Sequence, residues 1–439
     1  MEAAATRILR RLREAGHEAF FAGGCVRDRL LGREAHDIDI ATGARPEDVQ
    51  RMFARTVAVG AQFGVVVVLE DGWEFQVATF RADGVYVDGR RPESVVFTTP
   101  EGDARRRDFT INGLFYDPLD HRVLDFVGGQ ADLRAGVVRC IGDADARFSE
   151  DKLRVLRGVR FAATLGFEVE SGTWSALCRG VGGIGVVSAE RIRDELVKIF
   201  RHPSRVRGFD LLDASGLLAK LLPEVEAMKG CEQPPEFHPE GDVFVHTRLM
   251  LSLLPEEVSV PLVFSVLLHD IGKPPVGFRD EAGRIRFNGH EGVSGEMTEA
   301  IFERLRFSNA ETDATVAAVR NHMAFKDVKN MRVATLKRFL SRPTIDDELE
   351  LHRVDCLGSH GLLDNYEFLL QRREEFSREP LIPPPLVTGR DLLALGWSAG
   401  PLFKKALDAV QVRQLEGALT SREEALDWVA RSRDMLEDL

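Results

Sequence analysis

GGCVRDRLLGREAHDIDI, residues 23–40, is the stretch that decides the fold. Charged and apolar residues alternate in Asp37-Ile38-Asp39-Ile40, which predicts a strand with both carboxylates on one face and both isoleucines on the other. Two carboxylates held so close are costly unless a cation lies between them. A hard divalent cation with oxygen ligands, whose shell a phosphate usually completes, fits that need.

Upstream of this strand, two glycines and an arginine form a pattern suited to binding an anion. Gly23 and Gly24 can bring backbone N–H groups close to a phosphate, before a helix that we expect over residues 26–31. Arg27 would add a two-pronged phosphate contact. A phosphate site beside a two-carboxylate metal site is typical of metal-assisted phosphoryl or nucleotidyl transfer. The alternative is a Gly-Gly turn followed by a surface strand with two solvated aspartates.

Length and composition limit the class of protein. The 439 residues exceed what one hydrophobic core supports and predict two to four domains. A net charge of −12 gives no general attraction to nucleic acid, so RNA binding would depend on local basic patches. Five cysteines without a C-x-x-C pair indicate a reducing cytoplasm and argue against structural zinc. The longest apolar run, residues 258–268, is shorter than the ~20 residues of a membrane span.

The order of helix and strand patterns predicts an α+β fold, in which a mixed-sheet domain precedes an all-helical body and tail. Residues 1–16 predict the first helix. The valines of residues 64–69 predict a strand buried on both faces, and residues 74–80 predict its neighbour, with Glu74 and Gln76 on one face. Residues 84–92 are rich in glycine and charge and predict a mobile loop.

Three successive arginines, residues 105–107, are expensive to bury unpaired. They predict either a solvated turn or an anion clamp. Asp108 and Asn112 follow four residues apart, on one face if the segment is helical, where they could bind a ribose hydroxyl.

From about residue 145 the pattern becomes helical. Ser149 predicts a helix N-cap, with Asp151 in the first turn. Asp151, Arg154 and Arg157 would then form one polar stripe along that helix. The stripe either recognises the hydrogen-bonding edge of a base or is an ordinary salt-bridged surface face. Residues 188–200 predict a second amphipathic helix.

Histidines and acidic residues concentrate after a proline-rich linker at residues 231–241. Imidazole beside carboxylate is ligand chemistry of metal hydrolases. The candidate metal site consists of His246, His269, Asp270 and Asp355, with Asp327, Asp346 and Asp364 as alternatives to Asp355. His290 and His322 lie nearby in the sequence, and residues 326–338 are either a basic RNA-backbone patch or a solvated helix face.

Four motifs in family order and spacing resemble the class II tRNA nucleotidyltransferase and poly(A) polymerase family, whose members build or complete the 3′ CCA end of tRNA. The motifs are GGCVRDRLLGR…HDIDIAT, RRDFTING, EDKLRVLRGVRF and ERIRDEL. Residues 240–365 resemble the HD-type metal-dependent phosphohydrolase domain of some members. The resemblance implies a nucleotidyltransferase head at 1–145, a helical nucleotide-selecting and RNA-binding domain at 146–230, an HD-type domain at 240–370 and a helical tail at 380–439.

The resemblance also implies a role for each candidate residue. Asp37 and Asp39 would bind Mg²⁺ and activate the RNA 3′-hydroxyl against the α-phosphate of a nucleotide. The remaining roles are triphosphate binding by Gly23, Gly24 and Arg27, ribose and phosphate contacts by Arg107, Asp108 and Asn112, base selection by Asp151 and Arg154, and nucleotide support by Arg157. The chain departs from the family at Gln76, where a third carboxylate is expected; two aspartates would then hold the metal, or Glu74 would substitute through water.

The expected function is therefore Mg²⁺-dependent addition of CCA, or of the terminal A alone, to tRNA 3′ ends from CTP and ATP in the cytoplasm, with an HD domain that could hold a second divalent metal. Residues 84–92 resemble the element needed to switch from C to A addition, which disfavours a CC-only enzyme. Residues 60–64 lack the basic signature of poly(A) polymerases. The rival functions are poly(A) polymerase on general RNA, an HD-type phosphohydrolase as the main activity, and a non-catalytic RNA-binding module.

Overall fold

The computed structural model describes residues 1–58, 64–83, 95–236, 238–377 and 380–433. The chain divides into two compact units, one formed by Met1–Glu226 with Ile301–Phe307 and the other by Ala227–Ala300 with Ser308–Leu439. Residues 84–92, expected as a loop, and most of residues 60–64 lie outside the described ranges. Within those ranges, no helix combines the length and the apolar character that crossing a membrane requires.

A mixed β-sheet forms the centre of the first unit. The strands of this unit are β1 (Ala19–Ala22), β2 (Asp39–Thr42), β3 (Thr56–Val57), β4 (Val65–Glu70), β5 (Trp73–Thr79), β6 (Arg81–Asp83), β7 (Val95–Phe97), β8 (Leu114–Asp117), β9 (Arg122–Asp125), β10 (Val137–Val138) and β11 (Glu168–Val169). Seven of them form one sheet in the order β3-β4-β5-β2-β1-β8-β9. Strands β2 and β5 are parallel, and the other pairs of this sheet are antiparallel.

Helices precede, interrupt and follow this sheet. They are α1 (Glu2–Glu14), α2 (Gly24–Leu30), α3 (Pro46–Met52), α4 (Pro100–Arg105), α5 (Gly129–Ala135), α6 (Ala144–Glu150), α7 (Leu153–Leu165), α8 (Ser171–Gly180), α9 (Ala189–Phe200), α10 (Arg205–Ser215), α11 (Leu217–Leu221) and α12 (Pro223–Glu226), with 3₁₀ turns at Thr110–Asn112 and Val181–Val186. Helix α7 packs against α9 and α10. The expected α+β architecture is confirmed.

Three local expectations need correction in the sheet region. Strand β2 begins at Asp39, so Asp37 precedes it, although Ile38 and Ile40 are both buried as the alternation predicts. Helix α2 begins two residues earlier than expected. Strand β4 is not buried on both faces, because Val66 and Val68 are inaccessible while the residues between and before them are only partly covered.

The predicted helix start at Ser149 is wrong. Asp143 caps an earlier helix, α6, by accepting a 2.8 Å hydrogen bond from the Ala146 N–H. Helix α7 then begins at Leu153, whose N–H donates to Asp151 Oδ1 at 3.1 Å. Asp143 and Asp151, eight residues apart, therefore divide the segment into two helices, where the sequence pattern predicted one. Asp151 lies in the connection, and only Arg154 and Arg157 lie on α7.

The second unit is mainly helical. The helices that begin in it are α13 (Val243–Leu253), α14 (Val260–Leu268), α15 (Lys273–Val276), α16 (His290–Arg304), α17 (Asn309–Asn321), α18 (Val333–Leu340), α19 (Ile345–Gly358), α20 (Asp364–Phe376), α21 (Gly389–Ala394), α22 (Pro401–Leu415) and α23 (Arg422–Arg431). A 3₁₀ segment covers His322–Asn330, and β12 (Phe278–Arg279) pairs with β13 (Ile285–Arg286).

Helix α14 is the centre of the second unit. Its N-cap is Ser259, whose Oγ accepts the Leu262 N–H at 3.0 Å, and residues 262–268 are all buried. Helices α13, α17 and α19 pack around α14. Because these four helices carry or directly precede most of the candidate metal ligands, their packing brings residues distant in sequence to one place. A separate small core around Trp397, Leu392 and Val410 supports the tail helices.

Candidate active sites of the two units

A polar cavity of about 460 Å³ lies in the first unit. It is lined by every residue that the sequence predicted for the nucleotide site: Gly23, Gly24, Arg27, Asp37, Asp39, Arg107, Asp108, Asn112, Asp151, Arg154 and Arg157. Five further residues line it: Asp28, Arg106, Arg160, Phe161 and Arg191. Residues from the α2 region, β2, the segment after α4, and helices α7 and α9 therefore converge on one space.

The two carboxylates are Asp37, which is exposed, and Asp39, the first residue of β2. Burial and the neighbouring charge of Asp37 raise the pKa of Asp39 to about 6, against the opposing charge of Arg107. The cost of ionising both carboxylates would be relieved by a divalent cation, and oxygen donors suit a hard one. The donor set therefore fits a divalent metal.

Gln76 lies beside Asp39 in the sheet. The register of β2 against β5 pairs Ile40 with Val77, so Asp39 and Gln76 precede that pair by one residue. Both therefore point to the face opposite the buried Ile40 and Val77. Gln76 therefore places a neutral amide next to Asp39.

Gly23 combines an unusual backbone shape with a close neighbour. Its φ is +77°, a region that L-residues rarely adopt, and a Cβ added to it would lie 2.7 Å from Arg107 Nη1. Arg107 is held by Asp103, at 3.1 Å, and by the Asn112 carbonyl, at 3.3 Å. Glycine at position 23 thus permits a guanidinium to lie directly against the backbone that starts α2.

A chain of hydrogen bonds connects Arg27 to α7. Arg27 donates through Nη1 to Asn112 Oδ1 at 2.7 Å, and through Nε to Asp28 at 2.8 Å. Asn112 Nδ2 donates to Asp108 at 3.1 Å, and Asp108 also accepts from Arg157 Nε at 2.8 Å. Burial favours the neutral acid, but the Arg157 charge and these hydrogen bonds outweigh it and lower the pKa of Asp108 to about 2. Asp108 is thus a fixed anion within a network of donors.

The two candidate base-selecting residues are both held by partners. Asp151 forms a two-pronged ion pair with Arg191 of α9, with distances of 3.2 Å to Oδ1 and 2.7 Å to Oδ2. Arg154 donates through Nη1 to Glu150 at 2.6 Å and through Nη2 to the Arg106 carbonyl at 3.0 Å. The cavity therefore presents a carboxylate and a guanidinium in fixed positions at the junction of α6 and α7.

All five lining residues that were not predicted belong to the motifs that carry the family resemblance. Phe161, on α7, is the clearest case: the guanidinium carbons of Arg27, Arg157 and Arg160 lie 5.2, 5.2 and 3.9 Å from its ring centre. A ring face attracts cations and so helps to hold like charges together. Membership of the motifs was the available signal, since helical periodicity alone does not identify tertiary neighbours.

The second unit contains a buried cluster of imidazoles and carboxylates. His246 of α13 lies 3.1 Å from Asp355 of α19, measured from Nε2 to Oδ1. His269 and Asp270 follow α14, with His269 Nε2 3.1 Å from Asp270 Oδ2. The four predicted ligands are thus together. Of the alternatives to Asp355, Asp346 pairs with Arg373 and Asp364 with Lys329.

His290 and His322, which the sequence left unassigned, approach the other oxygen of Asp270. Their Nε2 atoms lie 3.2 and 3.8 Å from Asp270 Oδ1 and 3.1 Å from each other. Their Nδ1 atoms lie 2.8 and 2.6 Å from the carbonyls of Phe287 and Val319. A carbonyl only accepts, so each Nδ1 carries a proton and each Nε2, in the neutral ring, is a potential ligand atom. His269 has the same arrangement toward the Val266 carbonyl, at 3.0 Å.

Two buried polar atoms in this cluster are suited to a bound cation. Within the part of the chain that the structure describes, His269 Nε2 and Asp270 Oδ1 are buried and have no hydrogen-bond partner. Such atoms are costly in a protein interior, and a divalent cation would satisfy them. Among the described residues, three groups of ligand atoms are close enough to hold an ion, and one of them is His238, Glu240 and His246. The other two are His246, His269 and Asp270, and Asp270, His290 and His322. The cluster therefore fits a divalent metal, with Asp270 common to the last two groups.

Glu240 and Lys273 support the cluster and were also not predicted. Glu240 lies 2.6 Å from His246 Nδ1 and 2.9 Å from His238 Nδ1. Burial lowers the pKa of His246, but hydrogen bonds to Asp355 and Glu240 outweigh it and raise the pKa to about 9. Lys273 lies 2.6 Å from Asp270 Oδ2. These contacts surround the candidate ligands with charged partners that fix their orientation.

Three family models match the chain in order. They are the poly A polymerase head domain at residues 19–139, the probable RNA and SrmB-binding site of polymerase A at residues 166–229, and the HD domain at residues 243–356. Nucleotidyltransferase and HD domains generally use divalent metals, which agrees with the two donor sets.

Curated relatives and solved structures point the same way. The CCA-adding enzyme of Streptococcus pyogenes is 45% identical over 208 residues, which cover 47% of this chain and 52% of the relative. The CCA-adding enzyme of Geobacillus kaustophilus is 43% identical over 215 residues, which cover 49% of this chain and 53% of that relative. The match to these relatives thus spans about half of their length.

Two solved structures resemble the whole chain. The Bacillus stearothermophilus CCA-adding enzyme in complex with CTP is 26% identical, with a TM-score of 0.74 over 99% of this chain and 98% of the other. The Thermotoga maritima CCA-adding enzyme complexed with tRNA(CCA) shares the fold at 20% identity, with a TM-score of 0.61 over 97% and 94% of the two chains. The chain therefore carries a poly A polymerase head domain, the RNA-binding region that accompanies it and an HD domain, in the order in which the family models match, and it is similar to CCA-adding enzymes.

Proposed function

We propose that the chain is a nucleotidyltransferase that adds CCA, or only the terminal A, to the 3′ ends of tRNA from CTP and ATP without a nucleic-acid template. The observation that carries this proposal is the convergence of a carboxylate pair, a glycine–arginine anion site and an Asp–Arg pair on one cavity. CCA-adding enzymes among the relatives and solved structures support it. The cytoplasm is its proposed location, supported by five free cysteines.

In this proposal Asp37 and Asp39 hold Mg²⁺, the ion that oxygen donors favour. When bound, the metal supplies positive charge that activates the RNA 3′-hydroxyl and stabilises the reacting phosphate. Gly23, Gly24, Arg27 and Arg107 bind the triphosphate. The 3′-hydroxyl releases its proton to solvent, its oxygen forms a bond to the α-phosphorus as the bond to the bridging oxygen breaks, and pyrophosphate leaves.

Asp151 and Arg154 select the base in this proposal. Cytosine and adenine share an exocyclic amino donor next to an unprotonated ring nitrogen. A carboxylate accepts from the first group and a guanidinium donates to the second. Uracil and guanine carry a carbonyl oxygen and a ring N–H at the same places, so both contacts would become repulsive. One carboxylate–guanidinium pair can therefore accept the two correct nucleotides and reject the other two.

The deciding experiment offers the purified protein three tRNA substrates, ending before CCA, after C and after CC, with labelled CTP or ATP. Incorporation on all three identifies a CCA-adding enzyme, and incorporation of A alone, on the CC end alone, identifies an A-adding enzyme. Extension of an unstructured RNA by many residues with ATP alone would instead favour a poly(A) polymerase. Absence of incorporation on every tRNA would overturn the proposal.

A second candidate function belongs to the cluster in the second unit. We propose that His246, His269, Asp270 and Asp355 hold a divalent metal for hydrolysis of phosphate esters, because His269 Nε2 and Asp270 Oδ1 are buried without a hydrogen-bond partner among the described residues. The test uses bis(p-nitrophenyl) phosphate as substrate. His269→Gln should abolish its hydrolysis while nucleotide incorporation continues. Hydrolysis at the wild-type rate in this variant would contradict the assignment.

A further inference from the structure

Arg191 is a cavity residue to which the proposed function gives no role. It lies in the first turn of α9, and its guanidinium faces the Asp151 carboxylate with Nη1 3.2 Å from Oδ1 and Nη2 2.7 Å from Oδ2. Both side chains are largely covered, with 27% and 17% of their surface accessible. A two-pronged contact of this kind is strong and fixes the plane of the carboxylate relative to the guanidinium.

The remaining hydrogen-bonding capacity of Asp151 is small. Oδ1 accepts from Arg191 and from the Leu153 N–H at 3.1 Å, which occupies both of its lone pairs. Within the described residues, Oδ2 accepts from Arg191, and one further lone pair remains for a ligand. The carboxylate therefore presents a single acceptor site in a single direction.

A fixed direction of the Asp151 acceptor site is useful for recognition of one specific hydrogen-bond donor. Arg154, its partner in the cavity, is fixed in the same manner by Glu150 and by the Arg147 and Arg106 carbonyls, at 2.6, 3.0 and 3.0 Å. A base edge presents its donor and its acceptor at a fixed spacing, so recognition requires both protein groups to be fixed before the base arrives. A freely rotating carboxylate would accept hydrogen bonds from several directions and discriminate less.

We propose that Arg191 determines nucleotide selectivity as a positioning residue, by holding the Asp151 carboxylate in the one orientation in which it accepts a hydrogen bond from the amino group of cytosine or adenine. This inference rests on the proposed function, since it assigns base selection to Asp151. A lysine at position 191 would keep the charge but contact only one oxygen, because an ammonium lacks the planar fork of donors.

The experiment compares Arg191→Lys with a matched control, Arg179→Lys. Arg179 forms the same kind of two-pronged pair with Asp145, at 3.1 and 2.7 Å, but that pair is exposed and does not line the cavity. Incorporation from CTP, ATP, UTP and GTP is measured for each variant. In Arg191→Lys we expect the preference for CTP over UTP, and for ATP over GTP, to fall by about tenfold or more, the size of one two-pronged recognition contact. Arg179→Lys should keep the wild-type preference.

A double variant separates positioning from a general structural role. If Arg191 acts through Asp151, Arg191→Lys should add no further loss of selectivity in an Asp151→Ala background. The inference is overturned if Arg191→Lys lowers incorporation from all four nucleotides by the same factor, or if the two losses multiply.

Equilibrium binding measurements test the role of Arg191 even if the proposed function is wrong. If the wild-type protein binds CTP and ATP in preference to UTP and GTP but extends no tRNA, the proposed function fails. The same comparison of Arg191→Lys and Arg179→Lys by equilibrium binding then decides the role of Arg191. An unchanged preference of Arg191→Lys for CTP and ATP would overturn the inference that Arg191 positions Asp151.

Discussion

Gly23 and Arg107 approach each other so closely that a Cβ on Gly23 would lie 2.7 Å from Arg107 Nη1. Two separate costs therefore accompany Gly23→Ala. The backbone of Gly23, with φ +77° and ψ −128°, lies in a sparsely populated region that costs an L-residue on the order of 1–3 kcal/mol, and the new methyl group must displace the Arg107 guanidinium, which lines the cavity. We expect lower thermal stability together with a raised KM for the nucleotide.

Gly16→Ala is the matched control for this prediction. Gly16 also has a positive φ, +85°, but a Cβ there meets nothing within 4 Å. It should lose stability through its backbone conformation alone and keep the wild-type KM. An equal rise of KM in both variants would show that the approach of Arg107 is irrelevant.

Removal of the carboxylate pair should end nucleotide incorporation. In Asp37→Ala with Asp39→Ala, the proposed metal ligands are lost, and the rate should fall by more than the roughly 10- to 100-fold typical of residues outside the ligand shell. The measurement is label incorporation into tRNA, with His269→Gln as the control that should remain active. An undiminished rate in the double variant would contradict the proposed mechanism.

The binding of metal by the first unit should depend on pH. Burial and the charge of Asp37 raise the pKa of Asp39 to about 6, so the metal-free folded protein takes up a proton as the pH falls through 6. Since a metal competes with that proton, we expect Mn²⁺ or Mg²⁺ affinity to be lower at pH 5.5 than at pH 7.5. Titration of the metal-free protein measures this, and Asp39→Asn should abolish the pH dependence.

The same shift predicts the direction of a stability change. Between the unfolded-state pKa of 3.8 and the folded-state value of about 6, the folded protein binds more protons than the unfolded chain. The Asp39 contribution to the free energy of unfolding therefore decreases as the pH rises through this window. A denaturant titration at pH 4 and pH 7 compares wild type with Asp39→Asn. From pH 7 to pH 4, the free energy of unfolding of the wild type should rise relative to that of the variant. An equal change in both proteins would contradict the raised pKa.

The cluster of the second unit should gain stability from metal. An ion that binds only the folded state adds about 2.7 kcal/mol to the free energy of unfolding at a concentration 100 times its Kd. We expect added Mn²⁺ to raise the melting temperature of the Asp37→Ala, Asp39→Ala protein, in which the first site is removed. The additional change His269→Gln should diminish that rise, and a rise of unchanged size would exclude His269 as a ligand.

The sequence predicted which residues share a cavity in the first unit better than it predicted the helices that carry them. Family motifs identified Asp37, Asp151 and Arg154 without any knowledge of tertiary structure, and all three line one cavity. The helix start at Ser149 was wrong because Asp143 provides a competing N-cap six residues earlier. Local pattern cannot decide between two good caps, since packing of the following segment determines which is used.

The second unit shows a different limit. His246, His269 and Asp270 were recognisable as ligand types, but the approach of His290 and His322 depends on carbonyls three residues before each ring and on how α16 and α17 present them. Glu240 lies in a segment that the sequence indicated only as a linker. The four domain boundaries proposed from the sequence remain predictions.

Asp270 turns one oxygen toward His269 and Lys273 and the other toward His290 and His322. A substitution of this one residue consequently damages both halves of the cluster together and cannot report on either half. Dissecting the halves requires changes at the periphery, in His246 for one and in His322 for the other. For the same reason, exchange of Asp270 for glutamate, whose side chain is one methylene longer, would move both carboxylate oxygens away from their present partners at once.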